Sequence, residues 1–278
     1  MFAQAQQSSG SARDAFTFPI SVEPFTKMFK LPFLGNALTS EKPCLLPPKP
    51  IFRGEFIAFS EFDRSSLRKL IRRLDKKSLR IAEIGSWTGD GSTKTVVDEL
   101  RKSGGVLYCV DHWQGNPGVQ RHRDLVSEFD MFATFRSHVS TSEANEFVRP
   151  LVMSSRDAAE LVKDCFFDLV FIDGDHSYDE TVCDIELWLP KITPGGILCG
   201  HDCEARPGGI LDRSHLWPSR NLDTIDGNSD FPQIHPGVIL AVDEKFGSAA
   251  HLWSEELIVL EDGKVGKSTI WDVSIGEG

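Results

Sequence analysis

The sequence predicts an α/β fold built on a doubly wound, mostly parallel sheet of seven strands, with a C-terminal antiparallel hairpin. Three observations predict it. Short apolar runs alternate with helix-period segments through residues 79–202. Several of these runs end in glycine or acidic residues, as strands delivering polar groups to one sheet edge do. The tail then carries β-rich runs on both sides of an "EDGK" turn signal.

The elements follow in order. In "SEFDRSSLRKLIRRLDKKS" Leu67, Leu70, Ile71 and Leu74 recur at helical spacing between basic residues, which predicts an amphipathic helix beside the first strand. "LRIAEIG" is the first strand, "GSTKTVVDELRKSG" a helix, "GVLYCVD" the second strand, and "LVSEFDMFATFRSHV" a helical segment. "VRPLVMSS", "FDLVFIDGD" and "GGILCGHD" are the third to fifth strands, joined by helices in "SRDAAELVKDC" and "YDETVCDIELWLPKI". Strands this apolar belong to a parallel sheet covered on both faces, a Rossmann-like arrangement. Residues 204–236, rich in Gly, Pro, Asn and Asp, predict a long substrate-side loop, and "GVILAVDEKFG" returns to helix. Residues 1–50, rich in Ser, Gln and Pro, read as a flexible N-terminal extension ahead of one domain at 51–278.

Composition narrows the function. A net charge of -11 and a pI near 5.2 argue against a nucleic-acid partner, which needs a basic face. The run "LRKLIRRLDKK" reads as a solvated helix face. The six cysteines form no CxxC pair, which fits a reducing, cytoplasmic setting. No apolar run approaches the ~20 residues that cross a bilayer, and the first residues lack a secretory pattern, so no membrane partner is expected. Homo-oligomerisation is left open.

Two motifs carry binding chemistry. "AEIGSWTGDGS" places Glu83, Gly85, Ser86 and Gly89 in the turn leaving the first strand, with Gly91 and Ser92 opening the next helix, whose free N–H groups suit a carboxylate or phosphate. The spacing lacks the G-x-G-x-x-G of a nicotinamide reader. Asp111 ends the second strand, where a carboxylate can accept both hydroxyls of a ribose or can cap a helix. His112 and Trp113 follow and can stack on a heterocycle, although a lone tryptophan is more often part of the core.

The ordered set "AEIGSWTGDGS", "GVLYCVDHW", "LVMSSRDAA", "FDLVFIDGDHSYDETVCDIELWLPKITPGGILCGHD" and "PGVILAVDEKFG" resembles the class I S-adenosylmethionine-dependent methyltransferases. Within them it is most similar to the metal-dependent small-molecule O-methyltransferase branch that includes macrocin-type and other sugar-modifying enzymes. The resemblance implies that Glu83, Gly85, Ser86 and Gly89 line the methionine part of S-adenosyl-L-methionine. It places Asp111 at the ribose, residues 154–157, including Ser154 and Ser155, near the adenine, and Asp173 at the reacting centre.

"DGDH" and "HD" end two strands that the topology makes neighbours, so Asp173 and Asp202 can converge on one oxygen-ligated cation. In the resembling branch, matching acids hold magnesium. His201 departs from that pattern, and imidazole as a ligand shifts preference towards manganese, iron or zinc. A metal bound to the acceptor lowers its hydroxyl pKa. His176, and second to it Asp175, are the candidate bases. The expected reaction is O-methylation of a sugar- or polyol-type small-molecule acceptor. The alternative is a non-catalytic module that binds the cofactor or another nucleotide. His235, in "FPQIHPG", is a loop histidine that can reach the substrate or stay exposed.

Overall fold

The computed structural model describes residues 47–54 and 59–276; the expected extension lies outside them up to Leu46. Helix α1 (Glu61–Arg73) begins at a reciprocal capping box, in which Ser60 Oγ accepts the Asp63 N–H and the Asp63 carboxylate accepts the Ser60 N–H. Strand β1 (Leu79–Ile84), α2 (Ser92–Ser103), β2 (Gly105–Asp111), α3 (Gln120–Glu128), α4 (Met131–Thr141), β3 (Val148–Val152), α5 (Ser155–Leu161), β4 (Phe167–Ile172), α6 (Tyr178–Trp188) and β5 (Ile192–Gly200) follow. Then come α7 (Arg213–Leu216), β6 (Ile225–Asp226), β7 (Gln233–Ile234), α8 (Pro236–Phe246), β8 (His251–Leu252), β9 (Ile258–Val259), β10 (Val265–Gly266) and β11 (Trp271–Ser274).

The main sheet has seven strands in the order β3-β2-β1-β4-β5-β11-β8. The first five are parallel, and β11 runs antiparallel to both β5 and β8. Strand β4 is buried at every position, as an inner strand covered on both faces should be. Pro150 sits in β3, at the border of the sheet, where a missing backbone donor is tolerated. One apolar cluster joins α1, α2 and α4 to one face through Leu67, Val96 and Phe135; the other joins α5, α6 and α8 to the opposite face through Ala158, Trp188 and Ile239. Chain order reverses between β1 and β4, which opens a crevice at their carboxyl ends.

Three expectations change. The helix expected across 125–139 is two helices, because the Asp130 side chain accepts the Ala133 N–H and caps α4 while its own N–H goes to Pro50. The expected C-terminal hairpin is present, with β9 and β10 antiparallel across the "EDGK" turn, but it is a separate two-stranded ladder and not the edge of the main sheet, whose antiparallel strands are β11 and β8. The stretch 204–236 contains α7 and the β6–β7 ladder rather than plain loop. No helix among the described residues is long and apolar enough to cross a membrane.

Asp63 joins distant parts of the chain. Beyond its cap it accepts hydrogen bonds from Ser268 Oγ (2.8 Å) and the Thr269 N–H (2.9 Å). Burial works to raise its pKa, but the nearby His201 and these donors bring it down to about 2. Replacement Asp63→Ala strips several buried donors of their acceptor and should cost about 3 kcal/mol, read as a lower urea midpoint.

Candidate active site

The turn after β1 is shaped by backbone contacts. Gly85 has φ 88°, and a Cβ there would lie 1.9 Å from the Asp173 carbonyl oxygen. Its N–H donates to Val110 O (2.9 Å), while the Asp173 N–H donates to Ile84 O (2.8 Å), so β1, β2 and β4 are locked together where they end. Arg64 of α1 donates to the carbonyls of Asp90 (2.9 Å) and Gly91 (2.8 Å) and holds the turn from outside. Helix α2 has no side-chain cap and no acid in its first turn, so its N-terminal donors remain available to a ligand. Gly91 and Ser92 line a cavity of about 430 Å3 at the carboxyl ends of the strands. Ser86 Oγ is buried beside it with no hydrogen-bond partner.

Gly85, Ser86, Asp111, His112, Ser154, Ser155, Asp173, Asp175, His176, His201 and Asp202 all border this cavity. Glu83 and Gly89 do not. Glu83 is fully buried under the turn, where Thr93 Oγ1 (2.5 Å) and Cys109 Sγ (3.4 Å) donate to it, and burial raises its pKa. It braces the start of α2. Gly89 has φ 75° and lies over Phe135, which a Cβ would meet at 2.8 Å, so its contribution is to turn shape. Trp113, for which stacking on a heterocycle and a place in the core were both open, is in the core against Phe132 and Phe135. Trp87 borders the cavity instead.

Asp111 accepts the N–H groups of Trp87 (2.8 Å) and Trp113 (2.6 Å), which fixes its carboxylate at the cavity wall. Burial raises its pKa despite these donors. Across the cavity Ser154 caps α5, and Ser155 Oγ links Asp184 to the Trp188 indole N–H (2.8 Å).

Burial lifts the Asp184 pKa from 3.8 to about 6. A carboxyl that holds its proton more tightly when folded makes stability fall as pH rises, here between roughly pH 4 and pH 6. The loss is about 3 kcal/mol. Asp184→Asn should remove that slope, so its unfolding free energy relative to wild type should rise by a similar amount between pH 4 and pH 7 in urea titrations.

At the floor, acids and imidazoles gather around Asp202, a non-glycine residue with φ 61°. Its Oδ1 lies 3.0 Å from His201 Nδ1 and 3.7 Å from His235 Nδ1; its Oδ2 lies 3.1 Å from His176 Nε2. Asp173 Oδ1 is 3.5 Å from His201 and 3.8 Å from His176. Burial opposes charge on both rings, yet Asp202 and Asp173 raise the pKa of His176 and His201 well above the ordinary histidine value. The same pairing holds Asp173 and Asp202 below the usual carboxylate range in spite of burial. Asp173, His201 and Asp202 each offer a ligand atom, all within 4.8 Å of one another, so this donor set fits a divalent cation.

The sheet has known counterparts. The O-methyltransferase TomG from Streptomyces achromogenes, involved in tomaymycin synthesis and solved in complex with SAM, is 17% identical and superposes with a TM-score of 0.50 over 79% of this chain and 82% of that one. Cofactor-bound Rv0187 from MTB is 18% identical, with a TM-score of 0.50 over 81% of this chain and 84% of its own. Residues 82–203 match the family described as methyltransferase domain. That segment lies within a fold shared with the O-methyltransferase TomG.

An uncharacterized protein of Sinorhizobium fredii, y4gI, is 29% identical over 129 residues, which is 46% of this chain; the chain spans 13% of that relative's length. The residues that brace the cavity and its acidic cluster extend beyond the matched segment. Arg64 comes from α1, while Asp223 and His235 come from the stretch after β5, and motif reading selected neither Arg64 nor Asp223. Asp223 Oδ1 lies 2.9 Å from His176 Nδ1 although 47 positions separate them. His235 had one signal, its place beside the proline that opens α8.

Proposed function

We propose that this protein transfers a methyl group from S-adenosylmethionine to a hydroxyl of a polar small molecule, sugar- or polyol-like, with a divalent cation at Asp173, His201 and Asp202. One observation carries the reading. The cation-ligand set opens into the same cavity as the glycine turn, the uncapped start of α2 and Asp111. The α2 N–H groups suit the cofactor's carboxylate, the unpartnered Ser86 Oγ offers a further polar contact, and Asp111 suits the ribose hydroxyls.

Bound there, the cation would supply Lewis acidity that lowers the acceptor hydroxyl's pKa. The chain's own residues position and deprotonate. Of the two expected bases, Asp175 is held by the Asn116 amide (2.8 Å) and the Ser177 N–H (2.8 Å) at the cavity edge, ready to take the acceptor's proton. His176 has carboxylates at both ring nitrogens, so its part here is to hold Asp202 in place. Methyl transfer between bound partners then depends on alignment more than on further bond-making by the protein.

The test is calorimetry on metal-stripped protein: S-adenosylmethionine first, then a vicinal diol with and without magnesium or manganese. Cofactor binding followed by cation-dependent diol binding is expected. A protein that ignores the cofactor would overturn the reading.

A further inference from the structure

We propose that His176, Asp223 and His235 form a second cation site beside the Asp173, His201 and Asp202 set, suited to a first-row transition ion such as zinc or cobalt rather than magnesium. One atom from each of the three residues lies within 4.8 Å of the other two. The site adjoins the one on which the methyl-transfer reading rests, touching it at Asp202, but uses none of its three ligands.

Hydrogen bonding determines which ring atoms remain for a metal. An ionised carboxylate can only accept, so a ring nitrogen bonded to one carries the proton. His235 Nδ1 lies 2.6 Å from Glu204 Oε1, and the His235 backbone N–H donates to Glu204 Oε2 (3.1 Å). Glu204 is buried and spends both oxygens on His235, leaving that ring's Nε2 with its lone pair. His176 has a carboxylate at each ring nitrogen, Asp202 Oδ2 at 3.1 Å from Nε2 and Asp223 Oδ1 at 2.9 Å from Nδ1; a cation entering between Nδ1 and Asp223 would displace the proton they share, while Asp202 holds the other N–H. Metal-binding histidines characteristically donate their other N–H to a carboxylate, which fixes tautomer and ring orientation. Both rings have that support.

The ligands are also held in place by the backbone. Gly237, at the start of α8, would place a Cβ 2.2 Å from His176 O and 2.5 Å from Arg220 O, while the Tyr178 N–H donates to Arg220 O (2.8 Å). Three chain segments therefore meet without room for a side chain, and the His176 and His235 rings stand edge to face at 4.6 Å. His176, His235 and Asp223 keep 21%, 15% and 36% of their side-chain surface, which leaves a route in from solvent. Two imidazoles and one carboxylate with open positions favour late first-row metals over magnesium, which prefers oxygen ligands.

The experiment counts metal. The full chain is stripped with a chelator and equilibrated with zinc, and bound zinc is measured by mass spectrometry in wild type, His235→Gln, Asp223→Asn and Asp173→Asn, with circular dichroism checking the fold. Wild type should hold about two equivalents; His235→Gln and Asp223→Asn should each lose one, and Asp173→Asn should lose the other. Cobalt loading should give a visible absorption band that disappears in His235→Gln and persists in Asp173→Asn. Asp223→Asn, a change at a partly exposed residue, serves if His235→Gln fails to fold. Folded His235 and Asp223 variants with wild-type zinc content would overturn this site; if Asp173→Asn alone loses metal, the first site survives and this one falls. Loss in the His235 and Asp223 variants with none in Asp173→Asn would do the reverse, and a wild type that binds no zinc overturns this one.

Discussion

Asp202→Asn should lower kcat/KM for methyl transfer by about 100- to 1,000-fold while leaving the affinity for S-adenosylhomocysteine within about threefold. The substitution keeps the size of the side chain and removes its charge. Asp202 is the carboxylate that His201, His176 and His235 share, at 3.0, 3.1 and 3.7 Å. An amide there offers one acceptor where two are used and weakens both the proposed cation-ligand set and the hold on the three rings, so the cluster proposed to orient the acceptor loosens. The residues proposed to contact the cofactor, Ser86, Asp111 and the start of α2, lie on other elements of the cavity wall, and their contacts should survive. Release of S-adenosylhomocysteine with a diol acceptor, alongside calorimetric titration of S-adenosylhomocysteine, separates the two effects. Undiminished turnover would remove Asp202 from the reaction, whereas joint loss of turnover and cofactor affinity would show that the substitution had collapsed the cavity.

Gly85→Ala should weaken cofactor binding at least about 100-fold and cost several kcal/mol of stability, on the order of 3. The new Cβ would sit 1.9 Å from the Asp173 carbonyl oxygen, and the residue's φ of 88° strains any L side chain. Relief requires β1 and β4 to part at their ends, which moves Asp173 and the turn together. Gly91→Ala is the control. Its Cβ would meet the Phe59 Cβ at 3.1 Å, and its φ lies outside the left-handed range, so the neighbour need shift only slightly. Calorimetry and urea unfolding should separate the two variants clearly. Equal behaviour would mean that the close approach of β1 to β4 does not shape the proposed cofactor site.

The strands and most helices were legible because burial imposes a pattern on consecutive residues. Strand β4, buried at every position, leaves an unbroken apolar run. The break at Asp130 was not legible, since helical spacing continues through Met131 and Phe135 on its far side and only the cap reveals the new start. Within the glycine turn, composition located the site but not the direction of each side chain: Ser86 borders the cavity, whereas Glu83, three residues earlier, is buried away from it. The end-of-strand acids Asp173 and Asp202 came together as their neighbouring strands required. Asp223 and Asp63 had no such signal. Each meets its partners through long-range folding, Asp63 reaching Thr269 across 206 positions, and nothing in the local pattern marks such a pair.

Both borders of the main sheet are poor templates for another strand. One is β3, where Pro150 removes a backbone donor; the other is β8, only His251–Leu252 long. Neither offers a long row of unpaired N–H and C=O groups to an incoming chain. Edge-to-edge growth, the usual route from an open sheet to an aggregate, is therefore blunted at both ends, and any assembly of copies would be built from helix faces and side chains.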